Sequence, residues 1–224
     1  PVTKRLADGS ITSPRGFKAA AISAGFKTTS VDDLAVVVTE RTDGAVAAGV
    51  FTQGVVRAAP VEWSERVLRN GERVRAVVIN SGQANACCGE AGEAFVRRTV
   101  ALVQKELGSG DVLVMSTGTI GVTPQWRLME KALPRCLERA STVGGEEAAN
   151  AILTTDLMPK SIALERLVGD KVVRMAGMAK GKGLPAISLG GNGNLIMPGM
   201  PLAGPPGTSQ FIPPGKPPNG GLGC

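Results

Sequence analysis

Short valine- and alanine-rich runs alternate along this chain with stretches that carry apolar residues at helical spacing. That alternation limits the fold more than any other feature. Residues Asp33 to Thr39 put Leu34, Val36 and Val38 on one face of a strand and Ala35 and Val37 on the other. Both faces are apolar, so the strand is expected to be covered on two sides. Val74 to Asn80, dense in valine, and Asp111 to Met115 also read as strands. Between them, Ala91 to Leu107 forms the clearest helical stripe, with Phe95, Val100, Val103 and Leu107 in line and Gly108 at its end. Ala59 to Leu68 is a shorter helix, with Pro60 near its start and Gly71 beyond it. Thr123-Pro124 reads as a further helix start, and Pro134 as a kink or break. Glu146 to Leu153 is helical; Ser161 to Val168 and Lys171 to Met175 are strands joined at Gly169-Asp170. The fold class is therefore α/β or mixed α+β.

Several segments are less regular. Residues 1–13 are polar and without periodicity, and are expected to form a loose arm. Gly16 to Gly25 is small and apolar and fits a strand or a turn. Ala45 to Thr52 is expected to form a hairpin with the preceding strand across Thr42-Asp43-Gly44. Beyond Gly183 the composition changes: residues 184–224 hold nine of the chain's 15 prolines and one charged side chain, Lys216. That segment is expected to be disordered or loosely extended, with no strand or helix of its own. The organisation expected is thus an arm over 1–13, a domain over 14–183 and a tail over 184–224.

A chain of 224 residues can bury a real core. No apolar run approaches the ~20 residues that span a bilayer, so no membrane segment is expected. The net charge of +6 comes from basic residues scattered among acidic ones. Aromatic residues are 3% of the chain and tyrosine is absent, which disfavours a base-stacking surface. The charge suits acidic small molecules better than nucleic acid. There is no histidine, and Cys87, Cys88, Cys136 and Cys224 show no C-x-x-C spacing. That argues against a zinc site and excludes any Ser-His-Asp or Cys-His device. If the chain takes part in acyl transfer, the base must be a lysine, a carboxylate, or a terminal amine beside a threonine.

Four segments carry chemistry-bearing residues at the ends of these elements. Ser116-Thr117-Gly118-Thr119 ends a strand and offers hydroxyls and freely oriented N–H groups to an oxyanion; it also reads as a simple strand-to-loop turn. Thr154-Thr155-Asp156 follows a helix and by itself would be a C-terminal cap. Gly177-Met178-Ala179-Lys180-Gly181-Lys182-Gly183 fails the phosphate-loop spacing, because Gly183 stands where Ser or Thr is needed. Its lysine is unshielded, which fits either a carboxylate contact or a basic surface turn. Asn80-Ser81-Gly82-Gln83-Ala84-Asn85-Ala86-Cys87 reads as structural, with Asn and Ser bonded to backbone where a strand ends.

Taken in order, these segments resemble the glutamate N-acetyltransferase (ornithine acetyltransferase) family of arginine biosynthesis, from about Ser13-Pro14-Arg15-Gly16 to Gly183. The resemblance implies a layered α/β sandwich and an acetyl transfer from N-acetylornithine to glutamate through an acetyl-threonine. It implies that Thr117 and Gly118 form an oxyanion hole and that Thr154 and Lys180 bind substrate. It implies no bound cofactor or metal, with acetyl-CoA as donor in bifunctional members, and a partner downstream (β) chain in a heterotetramer of two α and two β chains. In the family the nucleophile is the threonine exposed when the precursor cuts itself. Here Gly191 occupies that place, so no nucleophile is assigned. The chain thus reads as the upstream (α) part of such an enzyme with a divergent tail, inactive alone. The alternative is a non-catalytic binding or subunit fragment of the same scaffold. A third and weaker reading is nucleic-acid binding through the positive charge. The run from Thr154 to Ala163 suggests a plastid compartment, with cytoplasm and mitochondrion as alternatives.

Overall fold

In a computed structural model, residues 2–71, 73–108 and 110–181 and the backbone of residues 209–212 are described. The central sheet runs β2-β3-β5-β6, from β2 (Phe17–Ile22), β3 (Leu34–Thr39), β5 (Val74–Gln83) and β6 (Asp111–Thr119). β3 pairs antiparallel with both β2 and β5, while β5 and β6 are parallel. Parallel neighbours need a long crossover. Helix α2 (Gly89–Leu107) supplies it, ending at Gly108 with φ of 80°.

Helices cover both faces, as the two-sided apolar strands require. On one face α2 and α3 (Trp126–Glu138) bury Phe95, Val100, Val103, Met129 and Leu133 against Leu34, Val36, Val78 and Val114. On the other, the short α4 (Gly145–Ala151) sets Ala148, Ala149 and Ala151 against Ala19, Ala21, Ala35 and Ile79. Alanine on both sides allows that close approach. A Cβ at Gly144, just before α4, would overlap the Ala19 carbonyl. Helix α1 (Ala59–Arg69) packs Val67 and Leu68 on Val74 and Leu113. Its Ser64 hydroxyl lies 3.0 Å from the Val114 carbonyl and 3.2 Å from the Val114 N–H, bonding both.

A second sheet, β1-β7-β8, contains the hairpin of β7 (Lys160–Val168) and β8 (Lys171–Ala179) around Gly169. β1 is Thr3–Arg5, paired antiparallel with β7. The expected loose arm is thus a strand over these residues. Edge pairing uses only backbone groups, so it needs no apolar pattern, and all three side chains stay exposed.

Other expectations also fail for physical reasons. The turn at Thr42-Asp43-Gly44 exists, with Gly44 N–H bonded to the Arg41 carbonyl at 3.1 Å. It does not make a hairpin, because both edges of β3 are already occupied by β2 and β5. Ala45 instead makes one bridge to Val74, and β4 (Gly49–Thr52) pairs with β9 (Ser209–Ile212). A strand therefore stands in the segment expected to have none; the rest of 184–224 lies outside the described residues. α3 starts at Trp126, not at Pro124. Trp126 packs edge-on against Phe95 with ring centroids 6.3 Å apart, so core packing sets the start. Pro134 does not break α3. The carbonyl that it leaves unbonded belongs to exposed Glu130, and buried Met129, Leu133, Cys136 and Leu137 hold both halves to the sheet.

Candidate functional site

The carboxyl ends of β5 and β6 form one wall of the site. Their register runs on as Asn80 beside Ser116, Ser81 beside Thr117 and Gly82 beside Gly118. Two glycines face each other here because the backbones are crowded. A Cβ at Gly118 would overlap the Gly82 carbonyl, and one at Gly82 would overlap the Phe26 carbonyl. Gly118 has φ of 134° and Gly82 of 123°, both in the range that glycine tolerates. Ser116 and Asn80 share a 2.6 Å hydrogen bond, and Asn80 Nδ2 donates to the Gln83 carbonyl at 3.0 Å. Ser81 donates to the Ala151 carbonyl at 2.5 Å, tying the wall to the end of α4. The Asn80 amide nitrogen and the Ser81 hydroxyl thus serve the backbone, as the segment's composition suggested.

Thr154 lies three residues past α4 and does not cap it. Lys180 follows β8. Its ammonium donates to Thr117 Oγ1 at 2.6 Å and to Thr154 Oγ1 at 2.7 Å. The structure thus brings Thr117, Thr154 and Lys180 into contact, with Gly118 next in the chain. They come from both sheets and from the segment after α4. An ammonium has three donors. Two are directed at hydroxyls, which leaves one for an anion.

Charge around Lys180 is mixed. Burial lowers its pKa, Asp156 opposes that, and Lys160 adds to it. Lys27, on the loop after β2, donates to the Asp32 and Ala151 carbonyls at 3.1 and 3.2 Å. Its pKa is also lowered, by burial first and then by Lys180, against Asp33 and Asp32. Asp33 is wholly buried and accepts three backbone N–H bonds, from Ala24, Gly25 and Lys27, at 2.6 to 3.1 Å. That cradle shapes the loop that carries Lys27.

Two residues not singled out from sequence support the lysine. Asp156 Oδ1 accepts the Gly181 N–H at 2.7 Å and the Lys160 ammonium at 2.8 Å. Lys160 also donates to the Gly181 carbonyl at 3.0 Å. Burial would raise the Asp156 pKa, but the bonds from Lys160, Gly181 and Thr154 outweigh it and bring it to about 2. The i, i+4 spacing of Asp156 and Lys160 is the one sequence signal for this pair. Among the described residues no group of three or more His, Cys, Asp or Glu is placed to hold a metal ion.

A layered α/β scaffold with a cationic, hydroxyl-lined seat at its strand ends defines the class of protein. Comparisons with known proteins give the family. The family model described as ArgJ family matches residues 18–190. The arginine biosynthesis bifunctional protein ArgJ of Synechococcus sp. is 45% identical over 178 residues, which are 79% of this chain and 42% of that protein. A Nostoc sp. counterpart is 40% identical, over 79% of this chain and 43% of that one. The solved ornithine acetyltransferase of Mycobacterium tuberculosis, complexed with ornithine, superposes with a TM-score of 0.74 at 42% identity. That match covers 83% of this chain and 98% of the solved one. The ArgJ structure from Bacillus halodurans gives a TM-score of 0.76 at 30% identity, covering 82% and 95%. The chain belongs to the ArgJ family. It spans less than half the length of the curated relatives that it matches.

Proposed function

We propose that this chain supplies the oxyanion- and substrate-binding part of a glutamate N-acetyltransferase acting in arginine biosynthesis. The observation that carries this reading is the Lys180 ammonium held between the Thr117 and Thr154 hydroxyls. Lys180 and Thr154 bind the substrate, the ammonium pairing with its carboxylate. Thr117 and Gly118 hold the oxyanion that forms when the acetyl carbonyl is attacked. The attack makes an acetyl ester on a threonine and breaks the amide bond of N-acetylornithine, and the leaving ornithine amine takes up a proton. Glutamate's amine then takes the acetyl group and restores the hydroxyl.

Gly191 stands where the family's resemblance places that threonine, so the nucleophile is assigned to none of the residues here. A downstream β chain completes the site in an assembly of two α and two β chains. Acetyl-CoA is a co-substrate, in keeping with the word bifunctional in the relatives' names. A plastid location is supported by cyanobacterial relatives such as those of Synechocystis and Gloeobacter. Among the described residues no helix is long and apolar enough to cross a membrane.

Gly191 also favours a second reading, a binding or subunit fragment that keeps the scaffold without the chemistry. One experiment separates the two. The purified chain is assayed for glutamate acetylation from N-acetylornithine, alone and mixed with a separately made family β chain. No turnover alone and turnover on mixing supports the proposal. Binding of N-acetylornithine without turnover in either case supports the second reading. Absence of both binding and turnover overturns the proposal.

A further inference from the structure

We propose that Asp156 and Lys160 are positioning residues that grip the Gly181 peptide and thereby set where the Lys180 ammonium stands. This deepens the reading of Lys180 as a substrate-binding group and rests on it.

The geometry is a closed ring of three bonds. Asp156 Oδ1 accepts from Gly181 N–H at 2.7 Å and from Lys160 Nζ at 2.8 Å, and Lys160 Nζ donates to the Gly181 carbonyl at 3.0 Å. Both polar groups flanking the Gly181 Cα are therefore held by side chains. An ion pair that served only the surface would need neither. Asp156 keeps its other oxygen toward the Thr154 N–H, at a longer 3.4 Å. One carboxylate thus touches the residue after Lys180 and the backbone of Lys180's hydroxyl partner. Its side chain is 0% exposed, and that of Lys160 is 29% exposed. Gly181 has φ of 145°, in the range that glycine tolerates, so the ring holds this peptide without strain where another residue would resist.

A second consequence is electrostatic. The groups that face Lys180 are Thr117 from β6, Thr154 and Asp156 from the segment after α4, Lys160 from β7 and Lys27 from the loop after β2. Asp156 favours the charged form of Lys180 and Lys160 opposes it. Neutralising one or the other must therefore move the Lys180 titration in opposite directions, whereas mere loosening of the fold moves both the same way.

The test uses the whole 224-residue chain with 15N-labelled lysine, following the Lys180 side-chain signal through a pH titration. In Asp156→Asn the titration is expected about one pH unit lower, and in Lys160→Met higher by a similar step. Binding of N-acetylornithine, followed by calorimetry at neutral pH, is expected to weaken about tenfold in Asp156→Asn, as for one lost charge-assisted hydrogen bond. Lys160→Arg, which keeps charge and donors, restores the wild-type titration. Shifts of the same sign in both variants, or no shift in either, overturn the proposal. Should Asp156→Asn fail to fold, the partly exposed Lys160→Met and Lys160→Arg pair decides alone. Should wild-type chain bind no N-acetylornithine, the functional reading fails, while the titrations still judge the positioning role.

Discussion

Gly118 lies directly beside Gly82 in the parallel register of β5 and β6, with no room for a side chain between them. The Gly82 backbone is in turn pressed against the Phe26 carbonyl. Three backbones thus stack at the strand ends, and the wall that carries Thr117 owes its shape to two missing side chains. Gly118→Ala must distort that stack and occupy φ of 134°. We expect a loss of ~2–4 kcal/mol of stability, read as a lower urea midpoint at unchanged slope. A midpoint within error of wild type contradicts the crowding.

Lys180 occupies a place that lowers its pKa through burial. The sign follows directly. Below the folded pKa the buried ammonium costs stability, and the cost fades as pH rises toward the ordinary value of 10.5. Lys180→Met is therefore expected to be as stable as wild type at pH 7, or more so by up to ~1 kcal/mol, while losing N-acetylornithine binding. Thermal melts at pH 7 and pH 10 check this. A marked drop in Tm at pH 7 would assign Lys180 a structural role instead.

Asp156 has its pKa drawn to about 2, from an ordinary value of 3.8, against the opposing effect of burial. Its folded pKa is depressed, so its contribution is complete above the unfolded value and is lost as pH falls through the folded one. Acid unfolding should thus carry a component between pH ~4 and ~2 that Asp156→Asn removes. Urea titrations at half-unit pH steps measure it, and parallel stability curves for the two proteins would refute it.

Burial of Cys136 on the sheet-facing side of α3 pushes its thiol up to about 12. Cys87 is exposed and Cys88 half-buried. A thiolate is the reactive form. Under native conditions at pH 8 a thiol reagent should modify Cys87 first among the described cysteines and leave Cys136 untouched until the chain unfolds. Peptide mapping of the labelled protein shows the order, and early label on Cys136 would mean that α3 opens readily.

The sequence made some of this legible because the information was local. β3 is apolar on both faces, and Leu34, Val36 and Val38 indeed lie in one core cluster while Ala35 and Val37 lie in the other. The stripe of α2 and its stop at Gly108 were equally plain. What escaped depended on distant partners. Nothing near Ala45 reveals that both edges of β3 are taken, and nothing in Thr3–Arg5 announces an edge pairing with β7. Pro134 sits in a helix because of packing on its far side.

The same division holds at the site. Spacing alone left Ser116-Thr117-Gly118 as a turn and Thr154 as a cap; only the resemblance to a family singled out Thr117, Gly118, Thr154 and Lys180. Asp156 was named in its segment but given no role, because one of its two Oδ1 partners is a peptide N–H 25 residues onward. Asp33 went unremarked because its three partners are peptide groups as well. Backbone donors carry no residue identity, so no pattern of side chains points to them.

The hairpin that leads to Lys180 belongs to a sheet sharing no strand with the one that carries Thr117. The seat between them is consequently a seam where two sheets meet, joined below by buried Met178 of β8 in the cluster that holds Ala19, Ala35 and Ile79. Whatever spans it must touch both sheets, so occupancy should stiffen the seam and slow amide exchange on both shores together. Prying β8 away would erase the seat and draw Met178 out of the core that the larger sheet shares.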